Sequence, residues 1–348
     1  MTNTQLIRRA VLNGPKQVAL EDVEVTGLGP EQVLVKVHSS ALCTFEQRAY
    51  IGMDARFYPL LGGHELSGVV EAVGDEVQSV GVGDKVAISA MDRCGTCYSC
   101  RRGYGCENVW FKKGKRSPGP MGPAGLSSHK IAEEYQVYKL PEETDLLQAA
   151  LTEPLACVLR SLNQVSVQPG DTVAILGGGI MGALHTILAK GRGASVIVSE
   201  PDEQRRTDAL SFGALHTIDP TSESFSEVAR ELTNGRGVDV VIVAMGNISA
   251  LEDSIDALAH GGRLSVYARM FPRDGTISLN PNILHDKEIV LTGTISQSIQ
   301  EFQQAAEMIG AGAIDLQPVI SAVYPMEQIV DAFEAAIAMN TYRVVVNP

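Results

Sequence analysis

The sequence predicts an α/β protein: a largely β first domain, then a second domain built on a doubly wound parallel sheet. Three observations carry that expectation. Short β-branched runs separated by turn residues fill roughly the first 150 residues. After Pro169-Gly170-Asp171 the pattern changes to strands alternating with helices, as right-handed crossovers in a parallel sheet require. The length of 348 residues fits about two domains of roughly 100 to 200 residues each, and a hydrophobic content of 45% suffices for ordinary cores.

Taken in order, residues 32–37 and 67–73 read as strands, and 81–88 as a turn followed by a strand. Residues 108–128 are rich in Gly, Pro, Lys and Ser, and Pro118, Pro120 and Pro123 oppose regular structure, so this is a long loop. Residues 172–176 form a buried strand and 180–190 a helix. Strand 195–199, helix 202–212, strand 238–243, helix 250–259 and strand 263–267 follow. The tail adds helices at 301–309 and 326–339 and a last strand at 342–346, and is expected to rejoin the first domain. The domain boundaries read as 1–155, with a small lobe at about 92–108, then 156–292 and 293–348.

Four of the six cysteines, Cys94, Cys97, Cys100 and Cys106, fall in one glycine-dotted stretch with spacing C-x2-C-x2-C-x5-C. Tetrahedral zinc takes four thiolates, and C-x-x-C steps let a turn aim successive sulfurs at one point. Two disulfides are the alternative, but they belong to oxidising compartments and to small domains without a large core. A nucleic-acid finger would carry a basic face, whereas the formal charge here is -13 despite Arg93, Arg101 and Arg102. The same acidity disfavours nucleic acid and anionic membrane as partners. Met1 to Arg9 lacks the apolar stretch of a signal peptide. The long uncharged run at 172–189 holds Gly177, Gly178, Gly179, Gly182 and His185, which suits strand, turn and helix better than a bilayer span. A soluble protein of the reducing cytoplasm is expected.

Gly177, Gly179 and Gly182 fit G-x-G-x-x-G, and here the pattern closes a strand and opens a helix. The first glycine makes the turn, the second admits a pyrophosphate, and the third lets helix meet strand. Phosphates would face the helix N-terminus at Ile180 and Met181. Glu200 follows Gly177 by 23 positions at the end of the next strand, placed to accept from ribose hydroxyls and to repel a 2'-phosphate, so NAD is favoured over NADP. An alternative register puts Ser199 at that position, with Arg205 and Arg206 gripping a phosphate.

Cys43 in Ala41-Leu-Cys-Thr-Phe-Glu-Gln-Arg48 and His64 in Leu61-Gly-Gly-His-Glu-Leu-Ser-Gly68 are unremarkable singly. With the cysteine lobe, Gly74, Gly83-Asp84-x-Val86, Glu153-Pro154-Leu155-Ala156 and the glycine motif, they make the chain resemble the zinc-containing medium-chain dehydrogenases, essentially end to end. Glu153-Pro-Leu-Ala looks like the polyol and threonine dehydrogenase branch of the alcohol dehydrogenase superfamily. The resemblance implies a GroES-like catalytic domain plus a Rossmann domain, and two zinc ions per chain. Cys43 and His64 would bind the catalytic zinc, with Glu65 and Glu153 completing its shell directly or through water. A catalytic zinc keeps one position open and acts as a Lewis acid, and hydride would pass between an alcohol or ketone and NAD held across the interdomain cleft. Relatives form homodimers or homotetramers, which sets the same expectation here.

Two departures qualify the transfer. Phe45 stands where relatives carry the Ser or Thr of a proton relay, which leaves Thr44 or a water beside Glu153 as substitute, and Arg48 stands where relatives often place His. The last cysteine spacing is x5 where the family usually has x7. Glu46 reads either as the family's carboxylate or as a salt bridge holding the zinc loop, and Cys157 as a core thiol. The leading expectation is oxidation of a secondary alcohol: a polyol, sugar alcohol, cyclitol or amino alcohol. A threonine-type amino-alcohol dehydrogenase is the second, with Phe45, Tyr50, Phe57, Trp110 and Phe111 shaping a less polar pocket. A catalytically silent homologue that kept the fold is the third.

Overall fold

The structure is a computed structural model, and it describes residues 4–53, 58–106, 120–338 and 340–348. The chain forms two compact units, Met1–Ala156 with Gln297–Pro348, and Cys157–Ser296.

The first unit opens with an antiparallel hairpin of β1 (Thr4–Gly14) and β2 (Gln17–Thr26). Then come β3 (Gln32–Ala41), α1 (Thr44–Tyr50), β4 (Glu65–Val73), β5 (Lys85–Ser89) and the four-residue α2 (Tyr98–Arg101). β6 (His129–Glu133), β7 (Val137–Lys139), α3 (Leu146–Ala149) and α4 (Thr152–Gln164) follow, and α4 carries the chain into the second unit. β3, rich in Val and buried along most of its length, pairs antiparallel with both β4 and β6. Of the expected loop at 108–128, residues 108–119 lie outside the described residues, and 120–128 contain no strand or helix.

The second unit alternates β8 (Thr172–Leu176), α5 (Ile180–Gly191), β9 (Ser195–Ser199), α6 (Glu203–Phe212), β10 (His216–Ile218), α7 (Phe225–Leu232), β11 (Val238–Val243), α8 (Ile248–Asp256), β12 (Leu258–Val266), α9 (Pro281–Lys287) and β13 (Val290–Gly293). Its strands are all parallel, in the order β10-β9-β8-β11-β12-β13, so the sheet is doubly wound with its switch point between β8 and β11. The helix expected at 250–259 ends early. Its last alanines read as helix formers, yet Leu258 pairs with Val238 and the chain is already in β12. The register slips between Val238 and Val240, where Gly261 adopts φ +69°, and resumes at Arg263 opposite Val240.

The tail comprises α10 (Ile299–Gly310), β14 (Ile320–Pro325), a 3-10 turn Met326–Gln328, α11 (Ile329–Ala336) and β15 (Arg343–Asn347). The predicted helix at 326–339 is thus shorter and begins as a 3-10 turn, while Met339 lies outside the described residues. The first unit's large sheet runs β14-β15-β3-β4-β5-β7, so the end of the chain is stitched to β3. A core of Leu12, Leu42, Tyr50, Leu60, Leu126, Phe333 and Val344 joins the N-terminal strand, α1, α11 and β15. No described helix is long and apolar enough to cross a membrane.

Candidate metal and dinucleotide sites

β3 and β4 pair with Ala41 opposite Glu65, so Cys43, just past β3, and His64, just before β4, emerge at the same end of the ladder. Cys43 is the N-cap of α1, which aims the helix away from the strand. His64 is presented by a turn that only glycine can make: Gly63 has φ +90°, and a Cβ there would lie 2.2 Å from the Leu126 backbone nitrogen. One ligand atom from each of Cys43, His64 and Glu65 lies within 4.8 Å of the others. Ligands about 2.0–2.3 Å from a tetrahedral zinc stand roughly 3.3–3.8 Å apart, so a small contraction around a cation would close the set.

The backing of this cluster is fully buried. From the first turn of α1, Glu46 Oε1 accepts from the Gly63 N–H at 3.0 Å and lies 2.9 Å from His64 Nδ1, which leaves Nε2 as the imidazole's outward nitrogen. Glu65 is clasped bidentately by Arg343 of β15: Nε donates to Oε2 at 2.8 Å and Nη2 to Oε1. Arg343 is 1% exposed and Glu65 0%. Glu153, in the first turn of α4, is half-buried and is not one of the 4.8 Å group, but its charge raises the affinity of both Glu65 and Arg343 for protons.

The protonation equilibria reflect crowding. Burial lifts the Cys43 thiol, and the Glu65 charge lifts it further, against the pull of His64 and Arg343. Burial pushes Glu65 up to about 7, with Arg343 and His64 pulling the other way. Burial would lower His64, but Glu46 and Cys43 together outweigh it and hold it well above its usual value. A soft thiol, an oriented imidazole and packed carboxylates form a donor set suited to a divalent cation, whose charge relieves this crowding.

In the lobe, Cys94, Cys97, Cys100 and Cys106 likewise bring their sulfurs within 4.8 Å of one another. The Cys97 N–H points at Cys94 Sγ and the Cys100 N–H at Cys97 Sγ, each at 3.4 Å, and Cys97 caps α2. Burial, with Cys97 and Cys106 beside it, pushes the Cys100 thiol up to about 11. All six cysteines are free thiols. The set fits a four-thiolate zinc despite the short final spacing.

In the second unit, Gly177 turns the chain with φ +101°, and α5 starts at Ile180 with Gly179 as N-cap. A Cβ on Gly182 would come within 1.8 Å of the Gly177 carbonyl oxygen, so the third glycine sets the close approach of helix to loop. The buried Glu200 accepts from the Gly178 N–H at 2.6 Å and from the Asp202 N–H at 3.0 Å. Ser199 lies on β9 and its carbonyl takes the Gly177 N–H. Arg206 donates to the Glu200 and Pro201 carbonyls and pairs with Asp219. The Arg205 guanidinium lies 3.7 Å from the Cβ position of Gly179, beside the loop.

Sequence reading passed over Arg343. The usable signal was a cation opening the apolar run Arg343-Val-Val-Val, which implies a buried counter-charge. Tyr50, expected from sequence to help shape the pocket, is instead buried, stacked 4.7 Å from Phe333 and bonded to Glu334. Phe57, Trp110 and Phe111 lie outside the described residues.

Comparison with known proteins gives these sites their context. The family model "Alcohol dehydrogenase GroES-like domain" matches residues 29–142, and "Zinc-binding dehydrogenase" matches 181–311. Sorbitol dehydrogenase of Bacillus subtilis is 30% identical over 346 residues, covering 97% of this chain and 96% of that one. L-threonine 3-dehydrogenase of Pyrococcus horikoshii is 31% identical over 337 residues, 94% of each. A zinc-binding dehydrogenase of Sinorhizobium meliloti bound to NADP superposes with a TM-score of 0.89 at 26% identity, over 99% of this chain and 100% of that one. The chain belongs to the zinc-containing medium-chain dehydrogenases of the alcohol dehydrogenase superfamily.

Proposed function

We propose that the protein is a cytoplasmic, homo-oligomeric dehydrogenase with two zinc ions per chain, transferring hydride between a secondary alcohol and NAD. The alcohol class is a polyol, sugar alcohol, cyclitol or amino alcohol. The observation that carries this is the Cys43, His64 and Glu65 cluster with its buried backing, in a chain of this family. A zinc held there would supply Lewis acidity toward an alcohol oxygen. Cys43 and His64 Nε2 would bind it. Glu65, with both oxygens held by Arg343, would balance the charge of the metal, and Glu153 is the carboxylate we assign to completing its shell, directly or through water. Glu46 keeps the His64 proton on Nδ1, so that Nε2 stays a donor to metal. To Thr44, exposed at the start of α1, we assign passage of the substrate proton outward. The nicotinamide carries the redox step, while the chain supplies position and electrostatics.

The buried Glu200 carboxylate beside Gly178 supports NAD over NADP, and Arg206 is already engaged with Asp219. Arg205 lies where it can meet the cofactor phosphates, with the N-terminal turn of α5 at Ile180 and Met181. A threonine-type amino-alcohol dehydrogenase is the second reading, favoured by the Phe45 ring beside His64 and by the Pyrococcus relative. Zinc analysis with the variant Cys43→Ser tests the assignment. Loss of one of two zinc ions and of NADH formation, with circular dichroism unchanged, is expected. Full activity would overturn it, and a wild type holding zinc in the lobe alone would mark a silent homologue.

A further inference from the structure

We infer that Phe45 selects the substrate at the metal cluster, and that the alcohol taken there carries a methyl or similarly short apolar group on its carbinol carbon. This rests on the metal-dependent reading above. The cluster has a closed side and an open one. Glu46, Glu65 and Arg343 are fully buried behind it, whereas Cys43 and His64 are half-buried and Thr44 is exposed. His64 keeps 21% of its side chain exposed. A substrate reaching the ligands arrives on that open side. Phe45, two residues along from Cys43, is half-buried, and its ring meets the imidazole of the half-buried His64 edge-on, with centroids 5.9 Å apart at 71°.

The ring is anchored rather than loose, because it also packs against the buried core to which Leu42, Tyr50 and Leu60 belong. A phenyl wall there offers no hydrogen bond. A hydroxymethyl group pressed against it gives up water without replacement, whereas a methyl gains contact and loses nothing. One such group in an apolar pocket changes selectivity by roughly tenfold to a hundredfold.

The test uses two meso diols with the same stereochemistry, butane-2,3-diol and erythritol, which differ by hydroxyls on the terminal carbons. The full chain is loaded with Co2+, and the cobalt absorption band that disappears in Cys43→Ser is titrated with each diol, without cofactor. Wild type is expected to bind butane-2,3-diol at least about tenfold more tightly. Phe45→Ser should bring the two within about threefold, and Phe45→Leu, which keeps an apolar wall, should preserve the preference. Equal or tighter erythritol binding in wild type overturns the inference, as does an unchanged ratio in a folded Phe45→Ser. Absence of any Cys43-dependent band sinks the metal reading and this inference with it. A Cys43-dependent band with a ratio near one sinks this inference alone.

Discussion

Arg343 reaches Glu65 across 278 positions of sequence, and the two meet where neither has appreciable contact with water. Such a pair contributes little net stability, since burying two charges offsets most of their attraction, but removing one partner leaves an uncompensated buried charge. Arg343→Met is therefore expected to cost about 3–5 kcal/mol, read as a lower denaturant midpoint. Pairing it with Glu65→Leu should recover most of the loss. A single variant as stable as wild type would show that Glu65 is neutral or hydrated. Cys43 and His64 stand out in the sequence as candidate ligands because metal chemistry restricts residue type and the glycine beside His64 marks a tight turn. Arg343 was not, because the register of β15 on β3 places it, and no local pattern encodes that register.

Elements whose function rests on contiguous residues were the easiest to read. β8, its glycine turn and α5 form one such unit, and the structure keeps the strand at Thr172–Leu176 and the helix from Ile180. Gly182→Ala tests that unit, because the added methyl would meet the Gly177 carbonyl. Stability is expected to fall by about 1–3 kcal/mol, as for an overpacked core, with NAD binding weakened as the glycine loop proposed to receive the phosphates is displaced. Unchanged NAD affinity would show that the loop relaxes at no cost. Where pairing competes with propensity, sequence misled: the alanine-rich end of α8 reads as helix, yet β11 recruits it as the start of β12. The β1–β2 hairpin was also passed over, since Gln17–Thr26 alternates half-buried and exposed residues and offers no apolar run.

Across the whole molecule, acid is expected to act through a buried histidine as well as through carboxylates. His185 of α5 is fully buried; its Nδ1 lies 2.7 Å from the Met181 carbonyl and its ring meets Tyr267 edge-on at 4.7 Å. Burial lowers its pKa from 6.5 to about 4. The folded chain therefore refuses a proton that the unfolded chain accepts, so stability is intact above about pH 6.5 and falls as pH drops toward 4. The loss amounts to roughly 3 kcal/mol. His185→Leu should flatten that part of the urea midpoint against pH, and an identical slope in both proteins would exonerate the histidine. At this scale the two-unit plan and the nucleotide fold were readable from the switch in periodicity near residue 170, whereas the strand order that returns β14 and β15 to β3 exists only in three dimensions. A zinc-dependent, NAD-linked oxidation of a secondary alcohol should show itself as NADH formation by the zinc-loaded protein, measured across polyols, cyclitols, amino alcohols and methyl-substituted secondary alcohols with NADP in parallel. Turnover is expected with at least one of these classes, with a preference for NAD and complete loss in Cys43→Ser. Turnover that survives Cys43→Ser, or that requires NADP, would contradict it.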